Sequence, residues 1–128
     1  INGGDPVTLR GGKVDKLADA HVSATSLLGS STMADDGLNL GAVVKRARRF
    51  RFVGDCLQHA LVCAGRLDAA IDLLAAPWDI CAVIPCLEEA GCIAADVRGE
   101  SAGVLTSGSL MSSGAPALMS EIAAALRT

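Results

Sequence analysis

"RLDAAIDLLAAPWDICAVIPCLEEAGCIAADV", residues 66–97, decides the fold, because it reads as strand, helix and strand in succession. "RLDAAID" is a short apolar run ending on a carboxylate, Asp72. The helix that follows starts at Pro77, in a first-turn position where a missing N–H costs nothing, and stops at Gly91. Pro85 lies inside it, so a kink is expected there. "CIAADV" is again an apolar strand. Asp79, placed after the chain's single tryptophan at the mouth of this helix, has two readings. It can face the unpaired N–H groups of the first turn, or it can be a metal ligand.

The same alternation extends in both directions. Upstream, "ADAHVSATSLLG" predicts a strand near residues 21–28. "LNLGAVVKRARR" sets apolar residues at helical spacing with its cations in the last turns. "RFRFV" alternates strictly, with Phe50 and Phe52 expected inward and Arg49 and Arg51 outward. "DCLQHALVCA" predicts a helix with Asp55 as N-cap and Gly65 past its end. Downstream, "GVLTSGSL" reads as a strand and "APALMSEIAAALR" as a closing amphipathic helix. Strands alternating with helices indicate an α/β fold: a layered α/β/α domain with a mixed, largely parallel sheet. Residues 20–128 read as this domain. Residues 1–19 are glycine-rich and read as a connector and a strand belonging to a different sheet, and the start at Ile1 reads as mid-sequence.

The 128 residues have the length of one domain, and 51% hydrophobic with 20% charged residues argues against disorder. A formal net charge of −3 provides no basic footprint for nucleic acid; the one cationic cluster, "KRARRFR", reads as a solvated helix face. No apolar run approaches the roughly 18 residues a membrane span needs, so a cytoplasmic protein with no membrane partner is expected. Five cysteines, Cys56, Cys63, Cys81, Cys86 and Cys92, lack the close pairs zinc requires and read as reduced core thiols.

The run "FVGDCLQHALVCAGRLDAAIDLLAAPWDICAVIPCLEEAGCIAADVRGE" resembles the C-terminal half of the inositol monophosphatase-like family of magnesium-dependent phosphatases. The resemblance is carried by Trp78-Asp79, by Glu89-Ala90-Gly91, and by a strand ending in Asp96-x-x-Gly99. Gly54-Asp55-Cys56 resembles the histidinol-phosphate phosphatase branch in particular. The resemblance covers roughly residues 14–128 and implies the C-terminal half of a sugar-phosphatase-like αβαβα sandwich. It further implies that Asp79 binds a catalytic Mg²⁺, that Asp72 contacts the polar groups of substrate, usually with Glu in relatives, and that Arg51, Gly54 and the backbone of Asp55 and Cys56 belong to the substrate loop.

The residues taken singly admit plainer roles. Asp55 caps a helix, Asp72 ends a turn, Arg51 pairs with any nearby acid, and Trp78 packs in a core short of aromatics. His21 and His59 read as satisfied structural histidines, Asp35 and Asp36 as a solvated turn, and Asp5 as a loop residue.

The family's other metal-binding stretches, G-E-E-like and D-P-[ILV]-D-G-T, are absent. One carboxylate does not complete the oxygen shell of Mg²⁺, so the expected activity is that of one half of a phosphatase acting on a small phosphomonoester of the histidinol phosphate or inositol phosphate class. Its expected partners are the N-terminal half, in the same or another chain, and a second copy in a homodimer. A non-catalytic binding or scaffold module of the same fold is the alternative.

Overall fold

The computed structural model describes residues 3–26 and 37–128. In chain order these form β1 (His21–Ala24), α1 (Leu40–Arg46), β2 (Arg49–Phe52), α2 (Asp55–Cys63), β3 (Ala69–Asp72), α3 (Pro77–Ile80), α4 (Val83–Glu89), β4 (Ile93–Ala95), β5 (Leu110–Ser113) and α5 (Pro116–Leu126). The sheet order is β2-β1-β3-β5-β4. β1 runs parallel to β2 and β3, and β5 runs antiparallel to β3 and β4, so four strands share one direction.

The central strand shows how the layers form. Side chains alternate across a strand, and β3 sends Ala69 and Ile71 to one face and Ala70 to the other. On the first face they meet Leu40 and Val43 of α1 and Leu118, Ile122 and Leu126 of α5. On the second they meet Val62 of α2 and Leu87 of α4. The result is helix layers on both sides of a mixed sheet, as the alternation of elements implied. α5 buries Leu118, Met119, Ile122, Ala123, Ala125 and Leu126, a stripe at helical spacing. Each of its large apolar side chains contributes about 1.5–3 kcal/mol by leaving water. The Asn39 N–H donates to the Leu126 carbonyl at 2.6 Å and ties α1 to the end of this helix.

Several expectations shift. β1 ends at Ala24, and residues 27–28 of the expected strand lie outside the described residues, as do Asp35 and Asp36. The helix of 77–91 is divided rather than kinked: α3 stops at Ile80 and α4 starts at Val83. The reason is Pro85, whose ring excludes the carbonyl of Cys81 four residues back, so the break falls there and Pro85 joins a new first turn. "GVLTSGSL" is not a strand; Val104–Thr106 forms a 3-10 turn, and the strand is "LMSS" beyond it. Gly103 and Gly108, at φ of 75° and 82°, bracket that turn with a backbone that extended pairing does not use.

Phe52 is 54% exposed, not inward, because β2 is the edge strand and nothing described covers its end; the ring packs edge-on to Phe50 at 5.4 Å. Trp78 is 78% exposed, so its expected packing role does not hold in this chain. Cys63 and Cys92 are buried, whereas Cys56, Cys81 and Cys86 are exposed free thiols.

Residues 3–16 form no strand here. They are held by glycines: the Gly11 N–H donates to the Ala90 carbonyl at 3.0 Å, and a Cβ on Gly114 would overlap the backbone of Gly12. Among the described residues no helix is long and apolar enough to cross a membrane.

Candidate functional site

β2 leads the chain into the start of α2 and β3 into the start of α3, and a cleft of about 280 Å³ opens at these strand ends beside the end of β1. Asp72 is the last residue of β3, Thr25 follows β1, Asp55 and Cys56 open α2, and Asp79 lies in α3. All five line the cleft. Ligands of open α/β sheets bind at such strand ends, where helix N-termini present free N–H groups. Of the residues anticipated from sequence, Asp55, Cys56, Asp72 and Asp79 come together here. Arg51 and Gly54 do not line the cleft: Arg51 is exposed on β2, and Gly54 is the N-cap of α2.

Asp55 is therefore not the cap. It is the first helical residue, and its φ of 57° is the one positive value at a non-glycine position among the described residues. That conformation costs an L-residue on the order of 1 kcal/mol or more, least for Asn and Asp. Strain of this kind at a cleft mouth persists only where the surrounding turn imposes it.

Asp79 performs the first of its two expected roles and also lines the cleft. Its Oδ2 accepts from the Ala76 N–H at 2.9 Å, closing the first turn of α3, and its other carboxylate oxygen is left for the cleft. The bond fixes the direction of an otherwise exposed side chain.

Asp72 is oriented from below by a buried polar relay. Gln58, fully buried in α2, accepts from the Ser23 hydroxyl at 2.9 Å and donates through Nε2 to Thr25 Oγ1 at 2.7 Å. With that oxygen accepting, the Thr25 proton is free to donate to Asp72. Burial pushes the Asp72 carboxyl above its ordinary pKa; the Leu74 amide and the Thr25 hydroxyl oppose the shift, and the charges of Asp79 and Asp55 add to it. Three carboxylates thus share a cleft whose lining includes no Lys or Arg.

His59 lies one turn deeper on the same face of α2. It is 2% exposed, with Nδ1 2.8 Å from Ser112 Oγ, while Nε2 has no partner among the described residues. It is thus only half satisfied, contrary to the structural role expected. An unpaired buried polar group costs about 1–3 kcal/mol. Burial lowers its pKa to about 4, so the ring is neutral at pH 7.

Sequence reasoning passed over Thr25 and Gln58 and assigned His59 a structural role only. The spacing of His59, four residues after Asp55 and three after Cys56 on one helix, was the available signal. Asp96 of the D-x-x-G motif stands apart from the cleft and organises its own turn. Burial would raise its pKa, but N–H donors from Glu100 and Arg98 and the Arg98 guanidinium at 3.0 Å outweigh this and lower it.

A sequence model of the inositol monophosphatase family matches residues 4–128. The histidinol-phosphatase of Chlorobaculum parvum is 52% identical over 46 residues, 36% of this chain and 18% of that protein. A fructose-1,6-bisphosphatase/inositol-1-monophosphatase of Thermotoga maritima is 37% identical over 71 residues, 55% of this chain and 28% of that one. An inositol monophosphatase of Zymomonas mobilis superposes with a TM-score of 0.82 at 19% identity, over 94% of this chain and 47% of its own. The chain thus spans about half the length of this solved relative. With residues 4–128 matched by the family model, the chain belongs to the inositol monophosphatase family.

Proposed function

We propose that this chain acts as the C-terminal half of a Mg²⁺-dependent phosphatase for a small phosphomonoester of the histidinol phosphate or inositol phosphate class. The observation that carries this reading is the cleft itself: Asp55, Asp72 and Asp79 line one space, and the Asp72 carboxyl is raised above its ordinary pKa first by burial and further by the charges of Asp79 and Asp55. Repelling carboxylates with no cationic side chain among them favour a hard divalent cation. The donors fit Mg²⁺ in kind, being oxygens. In number they do not complete its shell, since among the described residues no three His, Cys, Asp or Glu side chains converge on one point.

Asp79 is the residue that holds the metal, through the oxygen that Ala76 leaves free. When bound, Mg²⁺ neutralises phosphate charge and activates water for attack at phosphorus. The chain's own residues do the rest. Asp72, steadied by Thr25, accepts from hydroxyl or ammonium groups of the alcohol portion, and the amides of Asp55 and Cys56 at the start of α2 orient it. Arg51 and Gly54 support that loop from outside the cleft wall. The remaining metal ligands come from an N-terminal half, in this or another polypeptide, to which residues 1–19 belong. A cytoplasmic homodimer of such assembled units follows the resemblance.

The small number of converging ligands also favours a second reading, a binding or scaffold module of this fold without turnover. Mg²⁺ titration of the chain reassembled with that N-terminal half, in the presence of inorganic phosphate and followed by the fluorescence of Trp78 next to Asp79, separates the two. A saturable response lost in Asp79→Asn supports the phosphatase reading; no response in the wild type, or one that Asp79→Asn leaves unaltered, overturns it.

A further inference from the structure

Gln58 lies beneath the cleft without reaching it: the side chain is fully buried, three residues after Asp55 on α2. It joins three elements. Its Oε1 accepts from the Ser23 hydroxyl of β1 at 2.9 Å, while its Nε2 donates to Thr25 Oγ1 at 2.7 Å and to the Ile71 carbonyl of β3 at 3.4 Å. These neighbours fix the orientation of the amide. The Ile71 carbonyl can only accept, so the group that faces it is the NH₂, and the amide oxygen is left for Ser23.

Each proton along this path then has one direction. Thr25 Oγ1 accepts from Gln58, so its own proton goes to Asp72, which also accepts from the Leu74 amide. The donors run from Ser23 through Gln58 and Thr25 to Asp72, from the interior outward. Thr25 and Asp72 line the cleft; Ser23 and Gln58 do not.

We propose that Gln58 is a positioning residue for the ester: without touching it, Gln58 turns the Thr25 hydroxyl onto Asp72 and so sets the carboxylate that receives the donor groups of the alcohol portion. The inference rests on the phosphatase reading and on the contact which that reading gives Asp72. Three features support it. Gln58 is paired at both ends of its amide inside the core, so it holds one geometry, whereas Asp72 is only half-buried at the cleft wall. A Thr25 hydroxyl turned away from Gln58 would leave Nε2 with only its long bond to Ile71, a costly state for a buried donor, so Thr25 is held as well. The cleft lining includes no Lys or Arg, so no cationic side chain there competes for Asp72, and its direction falls to these neutral donors. Phosphate is held at Asp79 and its metal in that reading, so the path from Gln58 bears on the alcohol portion alone.

Steady-state kinetics of the chain assembled with its N-terminal half test this, with inositol 1-phosphate and histidinol phosphate as esters and inorganic phosphate as inhibitor. Gln58→Met keeps length and burial but removes both hydrogen-bonding groups. It should raise KM for the ester that is turned over about tenfold, the loss of one ligand hydrogen bond, with kcat and phosphate inhibition within about threefold of wild type. In an Asp72→Asn background the same substitution should change KM by less than about twofold, because the group it acts on is already altered. Thr25→Val should raise KM as Gln58→Met does, and Thr25→Ser, which keeps the hydroxyl, should hold it within about threefold of wild type. This pair serves if Gln58→Met does not fold. An unchanged KM in Gln58→Met, penalties of Gln58→Met and Asp72→Asn that add independently, equal loss of ester and phosphate binding, or a Thr25→Ser no better than Thr25→Val overturns the positioning role while leaving the phosphatase reading intact. Failure of the assembled wild type to hydrolyse either ester with Mg²⁺ overturns that reading, and this one with it.

Discussion

At the scale of single residues, capping and the proposed metal ligation fall on one side chain, Asp79. In Asp79→Asn the amide oxygen still accepts from the Ala76 N–H, so folding stability should change by less than about 1 kcal/mol. If Asp79 holds the metal as proposed, removing its charge should raise the metal requirement and lower kcat on the order of 100-fold or more. Asp72→Asn should mainly raise KM, by roughly 5- to 100-fold, since it alters one ligand contact worth about 1–3 kcal/mol. Steady-state kinetics of the assembled enzyme against Mg²⁺ and ester concentration distinguishes the two; unfolding by Asp79→Asn with metal dependence intact would reduce Asp79 to a cap. His59 makes a separate prediction for pH. Its folded pKa of about 4 lies below the unfolded value of 6.5, so the unfolded chain binds the extra proton first as pH falls. Stability is fully present above pH 6.5 and declines toward pH 4, by up to about 3 kcal/mol from this group. Denaturant midpoints at pH 7 and pH 5 should differ, and His59→Gln should reduce the difference.

At the scale of elements, glycine and strained backbone set where the secondary structure starts and how it docks. Gly114→Ala forces a Cβ into the backbone of Gly12, which no side-chain rotation relieves, so it should cost about 1–3 kcal/mol and loosen residues 10–12 from the loop after β5. Thermal unfolding and protection of the Gly11 amide from hydrogen exchange would register both effects; an unchanged Tm would mean that the connector is not held there. The start of α2 behaves oppositely. Asp55→Gly removes the side chain from a φ of 57° and should leave stability the same or raise it by up to about 1 kcal/mol, whereas Asp55→Val should lower it. A destabilised Asp55→Gly would show that the carboxylate itself holds the turn. Pro85 illustrates how one ring divides a helix: the split between α3 and α4 sets Asp79 in a short separate turn aimed at the cleft, where a continuous helix would carry it along the axis of α4.

At the scale of the whole molecule, exposed apolar residues gather near the proposed junction. Leu74, which lines the cleft, is 76% exposed and Trp78, beside Asp79, 78%, with Leu57 and Phe52 on neighbouring elements. If a complementary half covers this surface, the chain alone should bind an apolar dye and self-associate, and adding that half should suppress both. A monodisperse monomer with no dye uptake would count against it. The order of elements was legible because each signal is local: β3 from "AAID", α5 from a stripe at 3.6-residue spacing, and the end of α2 from Gly65 at φ 67°. The family resemblance was legible for the same reason, being carried by contiguous residues such as Trp78-Asp79 and Asp96-x-x-Gly99. What escaped the sequence depends on groups far apart along the chain. The exposure of Phe52 follows from the edge position of β2, the relay from Ser23 through Gln58 to Thr25 joins β1 to α2, and His59 meets Ser112, 53 residues away, through Nδ1 while its buried Nε2 meets no partner among the described residues. Periodicity and caps are properties of neighbouring residues, so the sequence alone determined most of the elements that form; hydrogen-bond completeness and burial are sums over the folded neighbourhood, so only the tertiary structure decided which side chains line the cleft and which buried groups stay unsatisfied.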